Sequence, residues 1–220
     1  MATDDAPAAA RRTSQADATG VRLGTVAAVG FADFPPREWL GCFRDLGCTV
    51  CQAYRNQSGQ VSLAHIQDAL AAGGLPCDSL HGVFGEPYDP SAPQEAARRF
   101  AVDTYKGEGE LALALGGSLV VVHCATIRRD GVAPEERARR VEQLCRSMAE
   151  LGAFGRSVGV RYAFENLPAY HVLGSDVGEL AGWLDATGAP NTTMCFDTGH
   201  ALMTGDPAEQ IARAAGRIGY

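Results

Sequence analysis

Hydrophobic positions along the chain recur in two alternating rhythms. Short apolar runs with extended patterning occur at "LGTVAAVGF" (23–31), "CTVCQAY" (48–54), "CDSLHGVF" (77–84), "SLVVVHC" (118–124), "VRYAFEN" (160–166) and "TTMCFDT" (192–198), and these predict strands. Between them, helical spacing predicts helices over 36–46, 62–73, 92–115, 134–156, 175–187 and 206–215. Start and stop signals agree with that division. Ser91 with Gln94 resembles a capping box, and Asp206-Pro207-Ala208-Glu209 sets a cap, a first-turn proline and an acid in order. Gly47, Gly74, Gly117, Gly188 and Gly216 fall where helices should stop.

Six βα units in series predict a parallel sheet flanked by helices. The two candidate architectures are a doubly wound open sheet and a (β/α)8 barrel. A dinucleotide-binding sheet should carry G-x-G-x-x-G after its first strand, but here that strand runs into "VGFADFPP". The expected fold is therefore a (β/α)8 TIM-barrel type, incomplete: six βα units, with "GRIGY" (216–220) as the opening of a seventh strand. A closed barrel typically takes about 250 residues. The chain is thus expected to be part of a longer protein, or a barrel with an open edge. An open edge would favour a homo-oligomer. The barrel domain is expected over 21–220, after a disordered polar tail over 1–20.

Composition narrows the chemistry. A hydrophobic content of 46% with 20% charged residues is that of a globular protein, and no apolar run approaches membrane-span length. The N-terminus has no apolar signal core, so a cytoplasmic location is expected. The net charge of -7 opposes a nucleic-acid partner, which rewards clustered Lys and Arg. The single lysine, Lys106, falls in a helical stretch, which disfavours a Schiff-base barrel aldolase. Seven cysteines in such a chain read as free thiols, and "CTVC" (48–51) as buried thiols rather than a redox or zinc pair.

Strand parity gives the candidate site. Barrel strands point alternate residues toward the axis and toward the helices. If Tyr162 and Phe164 face the helices, Ala163 and Glu165 face inward. The same rule sends Met194 and Phe196 outward and Cys195 and Asp197 inward. Val120 and Val122 go out, leaving Val121 and His123 in; Leu80 goes out, leaving Ser79 and His81 in. Four chemistry-bearing residues, His81, His123, Glu165 and Asp197, therefore converge at the C-terminal strand ends, where barrel active sites are built. Neighbouring carboxylates would repel, and a divalent cation (Mn, Mg, Co or Zn) resolves that cost. His200, three residues past Asp197, is placed to orient a substrate, with direct ligation as the alternative; Asn166 should orient the site. The simpler reading of "CFDTGH" is a polar turn in which Asp197 caps the next helix. His171, in the loop "LPAYHVLGS" (167–175), reads as exposed, His65 as a surface helix residue, and "GVFGEPYDPSAP" (82–93) as a rim loop, a possible lid, in which Glu86 is solvated.

"SLHGVF", "VVVHC", "YAFENL" and above all "CFDTGHA", in this order and spacing, resemble the sugar phosphate isomerase/epimerase family of xylose isomerase-like barrels, a superfamily that also holds type-2 apurinic endonucleases. The resemblance covers roughly 23–220. It implies a divalent metal held by Glu165 and Asp197 together with a seventh-strand histidine and an eighth-strand glutamate. It further implies Glu165 as one of two acid/base carboxylates and His200 on the substrate. The implied reaction is isomerisation or epimerisation of a small sugar, ketose or sugar acid by moving a proton next to a carbonyl through an enediolate. The seventh- and eighth-strand residues lie past Tyr220, so this chain is expected to hold metal weakly. Two alternatives stay open: an endonuclease-like phosphodiesterase, since His81 and His123 match the zinc-binding histidines of those enzymes, and a non-catalytic sugar-binding barrel.

Overall fold

The computed structural model describes residues 22–59 and 61–220; the expected tail over 1–20 lies outside the described residues. Six strands form one sheet: β1 (Gly24–Val29), β2 (Val50–Arg55), β3 (Cys77–His81), β4 (Leu119–His123), β5 (Arg161–Glu165) and β6 (Thr192–Cys195). They pair in sequence order, β1 through β6, and every pairing is parallel. A doubly wound sheet would reverse its order partway, so sequential order identifies the TIM-barrel-like arrangement. Residues 217–220 extend it. Met194 N–H donates to the Arg217 carbonyl and Phe196 N–H to the Tyr220 carbonyl, with a parallel bridge between Met194 and Ile218. The expected seventh-strand opening is therefore present.

The helices are α1 (Pro36–Asp45), α2 (Leu63–Gly73), α3 (Glu95–Ala114), α4 (Pro134–Val158), α5 (Val177–Thr187), α6 (Thr198–Leu202) and α7 (Pro207–Ala214). Ser62, Asp176 and Asp206 cap α2, α5 and α7, each accepting a backbone N–H within the first turn. The Ser91–Gln94 capping box is not formed. Ser91 is fully buried, and its N–H and hydroxyl both donate to Asp89 Oδ1. The helix starts at Glu95 behind Gln94, which makes no side-chain cap. The competing partner is the buried Asp89, whose other oxygen accepts from Arg140 Nη1 at 3.0 Å and Thr126 Oγ1 at 3.2 Å. The rim loop after β3 is thereby tied to the loop after β4 and to α4.

Parity along the strands follows expectation. Leu80, Val120, Val122, Tyr162, Phe164 and Met194 all join the core between sheet and helices, with Phe196 packed against it. Leu119, Val121, Ala163 and Cys195 form a smaller cluster on the opposite, axial face. Small residues let the helices approach β5: Gly109 of α3 and Gly155 of α4 both abut Tyr162, where a methyl group would collide. The Tyr162 hydroxyl, buried there, donates to the Tyr105 carbonyl at 3.0 Å. The cysteines are free thiols. Cys48 precedes β2, so it and Cys51 do not alternate faces along one strand; both end in the helix-side core.

Candidate metal centre at the strand ends

Glu165 closes β5, is 5% exposed, and stands beside groups from three other strand ends. His123, its register partner on β4, brings Nε2 to 3.1 Å from Glu165 Oε2; His81 at the end of β3 brings Nε2 to 3.9 Å from the same oxygen. Even so, Oε2 is buried without a well-formed hydrogen bond. On the other side, Glu165, Asp197 and His200 offer donor atoms within 4.8 Å of one another. The four residues that parity sends inward, together with His200, do meet at one place.

Asp197 caps a helix, as the simpler reading of "CFDTGH" expects, and it also stands beside Glu165 and His200. Its Oδ1 accepts the His200 N–H at 2.7 Å, capping the short α6 that sequence patterning did not predict. Its backbone is gripped by Asn166, whose amide donates to the Asp197 carbonyl at 2.9 Å and accepts the Asp197 N–H at 2.6 Å. Asn166 is 1% exposed, so this clamp fixes the β6 end against the β5 end. The backbone around the two carboxylates is thus locked before any ligand arrives.

Hydrogen bonding assigns protons on two imidazoles. A carbonyl oxygen only accepts, so His81 Nδ1 donates to Gly82 O at 2.9 Å and His200 Nδ1 donates to Asn166 O at 2.8 Å. Burial and the field of His123 hold the His81 pKa below the usual histidine value, so the ring is neutral and its Nε2 carries a lone pair toward Glu165. A metal-binding histidine typically donates its other N–H to a carbonyl in this way. In His200 the nitrogen nearest the carboxylates carries the proton, so it cannot ligate through that atom; its Nε2 is left for a substrate. For Glu165, burial alone would raise the pKa, but the His123 imidazole at 3.1 Å outweighs it and holds the pKa below the ordinary carboxylate value. A buried carboxylate oxygen without a well-formed hydrogen bond, with two imidazole nitrogens at 3.1 and 3.9 Å, is an arrangement that a divalent cation would satisfy.

Two aromatic residues absent from the parity argument shape this centre. Phe84, in the loop after β3, stacks on His123 at 4.8 Å and on Tyr54 at 6.3 Å, and Tyr54 stacks on Phe31 at 5.4 Å. Inward parity applied to "CQAY" would have found Tyr54; Phe84 lies in a loop, where no periodicity applies. A cavity of about 1090 Å3 joins this wall to His81, Glu165, Asp197 and His200. His171 differs from expectation: it is half-buried, because its loop folds back against the loop after β4 and buries Val172 and Leu173. His65 and Glu86 are exposed, as expected.

Fold and site together define an α/β barrel protein with a carboxylate–imidazole centre at the C-terminal strand ends. Residues 43–220 match the xylose isomerase-like TIM barrel family, and the chain belongs to that family. An uncharacterized protein of Methanocaldococcus jannaschii is 26% identical over 139 residues; the match takes in 61% of this chain and 45% of that relative's length. Among solved structures, L-ribulose 3-epimerase matches with a TM-score of 0.74 at 21% identity, covering 90% of this chain and 68% of the other. The 3-keto-D-glucoside 4-epimerase of E. coli matches with a TM-score of 0.72 at 15% identity, covering 90% and 76%. D-allulose 3-epimerase from Methylomonas sp., in complex with D-allulose, matches with a TM-score of 0.71 at 19% identity, covering 90% and 71%. No helix among the described residues is long and apolar enough to cross a membrane.

Proposed function

We propose that this barrel is a divalent-metal-dependent isomerase or epimerase acting on a small sugar, ketose or sugar acid. The observation that carries the reading is Glu165: one buried carboxylate with an unsatisfied oxygen between the imidazoles of His81 and His123 and the pair Asp197–His200. Glu165 and Asp197 would hold the cation, with His81 and His123 Nε2 as further donors; when bound, it supplies positive charge that stabilises the oxyanion developing at a substrate carbonyl. His200, its Nδ1–H committed to Asn166 O, presents Nε2 to a substrate hydroxyl or carbonyl. A carboxylate held ionised within reach of the carbon next to that carbonyl removes its proton and returns one. Epimerases among the structural neighbours support this reading.

The test is metal-dependent exchange of hydrogen for deuterium at the carbon next to a ketose carbonyl, followed by NMR over a panel of ketoses and sugar acids. Exchange that needs Mn, Co, Mg or Zn and disappears in Glu165→Gln is expected; metal-independent exchange would sink the reading. A phosphodiesterase is the second reading, favoured by the His81–His123–Glu165 cluster alone. The net charge of -7 opposes it, and cleavage of abasic DNA by the metal-loaded chain would establish it.

A further inference from the structure

The chain leaving β3 is gripped from the helix layer just where it enters the rim. Gly82 continues the pairing of β3 with β4, its N–H donating to the Val121 carbonyl at 3.0 Å, while its own carbonyl accepts the His81 Nδ1–H. The following peptide unit, Val83–Phe84, is held at both ends. The Tyr105 hydroxyl of α3 donates to the Val83 carbonyl at 2.7 Å, and the Phe84 N–H donates to Gln57 Oε1 at 3.1 Å. The C=O and N–H of one peptide share a plane, so these two bonds fix that plane and the place from which the Phe84 side chain departs. Phe84 then stacks on His123 at 4.8 Å and meets the His81 ring edge-on at 5.4 Å. Glycine lets Tyr105 approach so closely: a methyl group at Gly82 would stand 2.9 Å from Tyr105 Cε1 and 2.7 Å from the Val121 carbonyl oxygen.

Tyr105 is fully buried in the core between sheet and helices. Packing there asks only for an aromatic ring, yet the residue carries a hydroxyl whose hydrogen bond goes to a carbonyl two residues past His81. Further along the same loop, Asp89 is tied to Arg140, and the Ser147 hydroxyl donates to the Pro90 carbonyl at 2.8 Å. The segment that carries Phe84 is therefore braced on both sides. We propose that Tyr105 is a positioning residue for the metal centre. Its hydroxyl sets the peptide before Phe84, and so both the ring stacked on His123 and the backbone beside the carbonyl that orients His81. It acts from the side of the strand opposite the cavity and touches neither metal nor substrate. The inference goes beyond the proposed function, which names only groups facing the axis, and rests on that reading for the role of His81 and His123 as donors to a cation.

NMR of the metal-free chain tests this without turnover. The ring C–H signals of His123 are identified by their loss in His123→Gln. An aromatic ring stacked on an imidazole displaces those signals, so Phe84→Ala gives their position without the stack. Tyr105→Phe removes one oxygen atom and no apolar volume, and it should move the His123 signals toward the Phe84→Ala position. Tyr162→Phe is the control: it removes the neighbouring buried hydroxyl, which donates to the Tyr105 carbonyl, and should lower the urea midpoint comparably while leaving the signals in place. Zinc affinity, read by competition with a chelating dye, should fall about fivefold in Tyr105→Phe, the worth of one hydrogen bond, and hold its value in Tyr162→Phe. His123 signals that stay put in Tyr105→Phe, or move as far in Tyr162→Phe, overturn the assignment and leave Tyr105 a core residue whose hydroxyl is merely satisfied. Zinc that fails to bind the unaltered chain sinks the proposed function, and the His123 signals still decide this inference.

Discussion

Consider the two faces of β4 and β5. The residues facing the helices, Val120, Val122, Tyr162 and Phe164, are all 0% exposed and wholly committed to packing. Their neighbours one position along, Val121, His123, Ala163 and Glu165, face the barrel axis, apolar deep in the barrel and charged or imidazole-bearing at the rim. The same five-residue strands thus carry core packing on one face and the candidate site's residues on the other, because a two-residue period separates them. A site built this way sits on rigid strand ends, and its residues can change without dismantling the core.

That separation can be broken from either side. Glu165→Gln should lower metal-dependent hydrogen exchange by about a hundredfold to ten-thousandfold while shifting the unfolding midpoint of the metal-free chain little. An equally large fall in stability would show that the axial face also holds the fold. Phe164→Ala, one residue away on the other face, should cost about 3–5 kcal/mol in urea unfolding yet leave metal stoichiometry intact where the chain is folded. Asn166→Ala removes the grip on the Asp197 backbone and should weaken metal affinity by about tenfold to a hundredfold, read by competition with a chelating dye. Gly155→Ala drives a methyl group into the Val160 carbonyl and the Tyr162 ring and should cost about 1–3 kcal/mol, with no effect on metal affinity.

The smallest expected effect concerns pH. His81 and His171 have pKa values below the ordinary 6.5, so the unfolded chain binds more protons than the folded one as pH falls. Stability is therefore fully present above the ordinary value and falls as pH drops through it. Glu165, also depressed, adds a loss at lower pH, when its carboxylate is forced to protonate. Thermal unfolding of the metal-free chain should show a lower midpoint at about pH 5 than at about pH 8. His171→Gln should flatten part of that slope, and an unchanged slope would place the effect at the axial residues instead.

The repeat of six βα units was legible because period-two and period-3.6 patterns survive in the sequence without any tertiary information. Inward parity likewise converged His81, His123, Glu165 and Asp197, because a strand cannot turn one side chain without turning its neighbours. Legibility ended where the strands do. The Ser91–Gln94 box failed because buried Asp89 competed for the same hydroxyl, a partner supplied by packing. Phe84 and His171 were missed or misjudged because loops have no period, and whether a loop residue is buried depends on what the loop folds against.

By itself, then, the sequence determined the element order, the face on which each strand residue lies, and the convergence of acids and imidazoles at the strand ends. Tertiary structure decided the rest: the protonated nitrogen of His81 and His200, the Asn166 clamp on Asp197, the aromatic wall of Tyr54 and Phe84, and the Tyr105 bond to the β3 rim. The physical reason is range. Periodicity is a property of a few consecutive residues, whereas each of those features is a contact between segments whose separation along the chain carries no local signal.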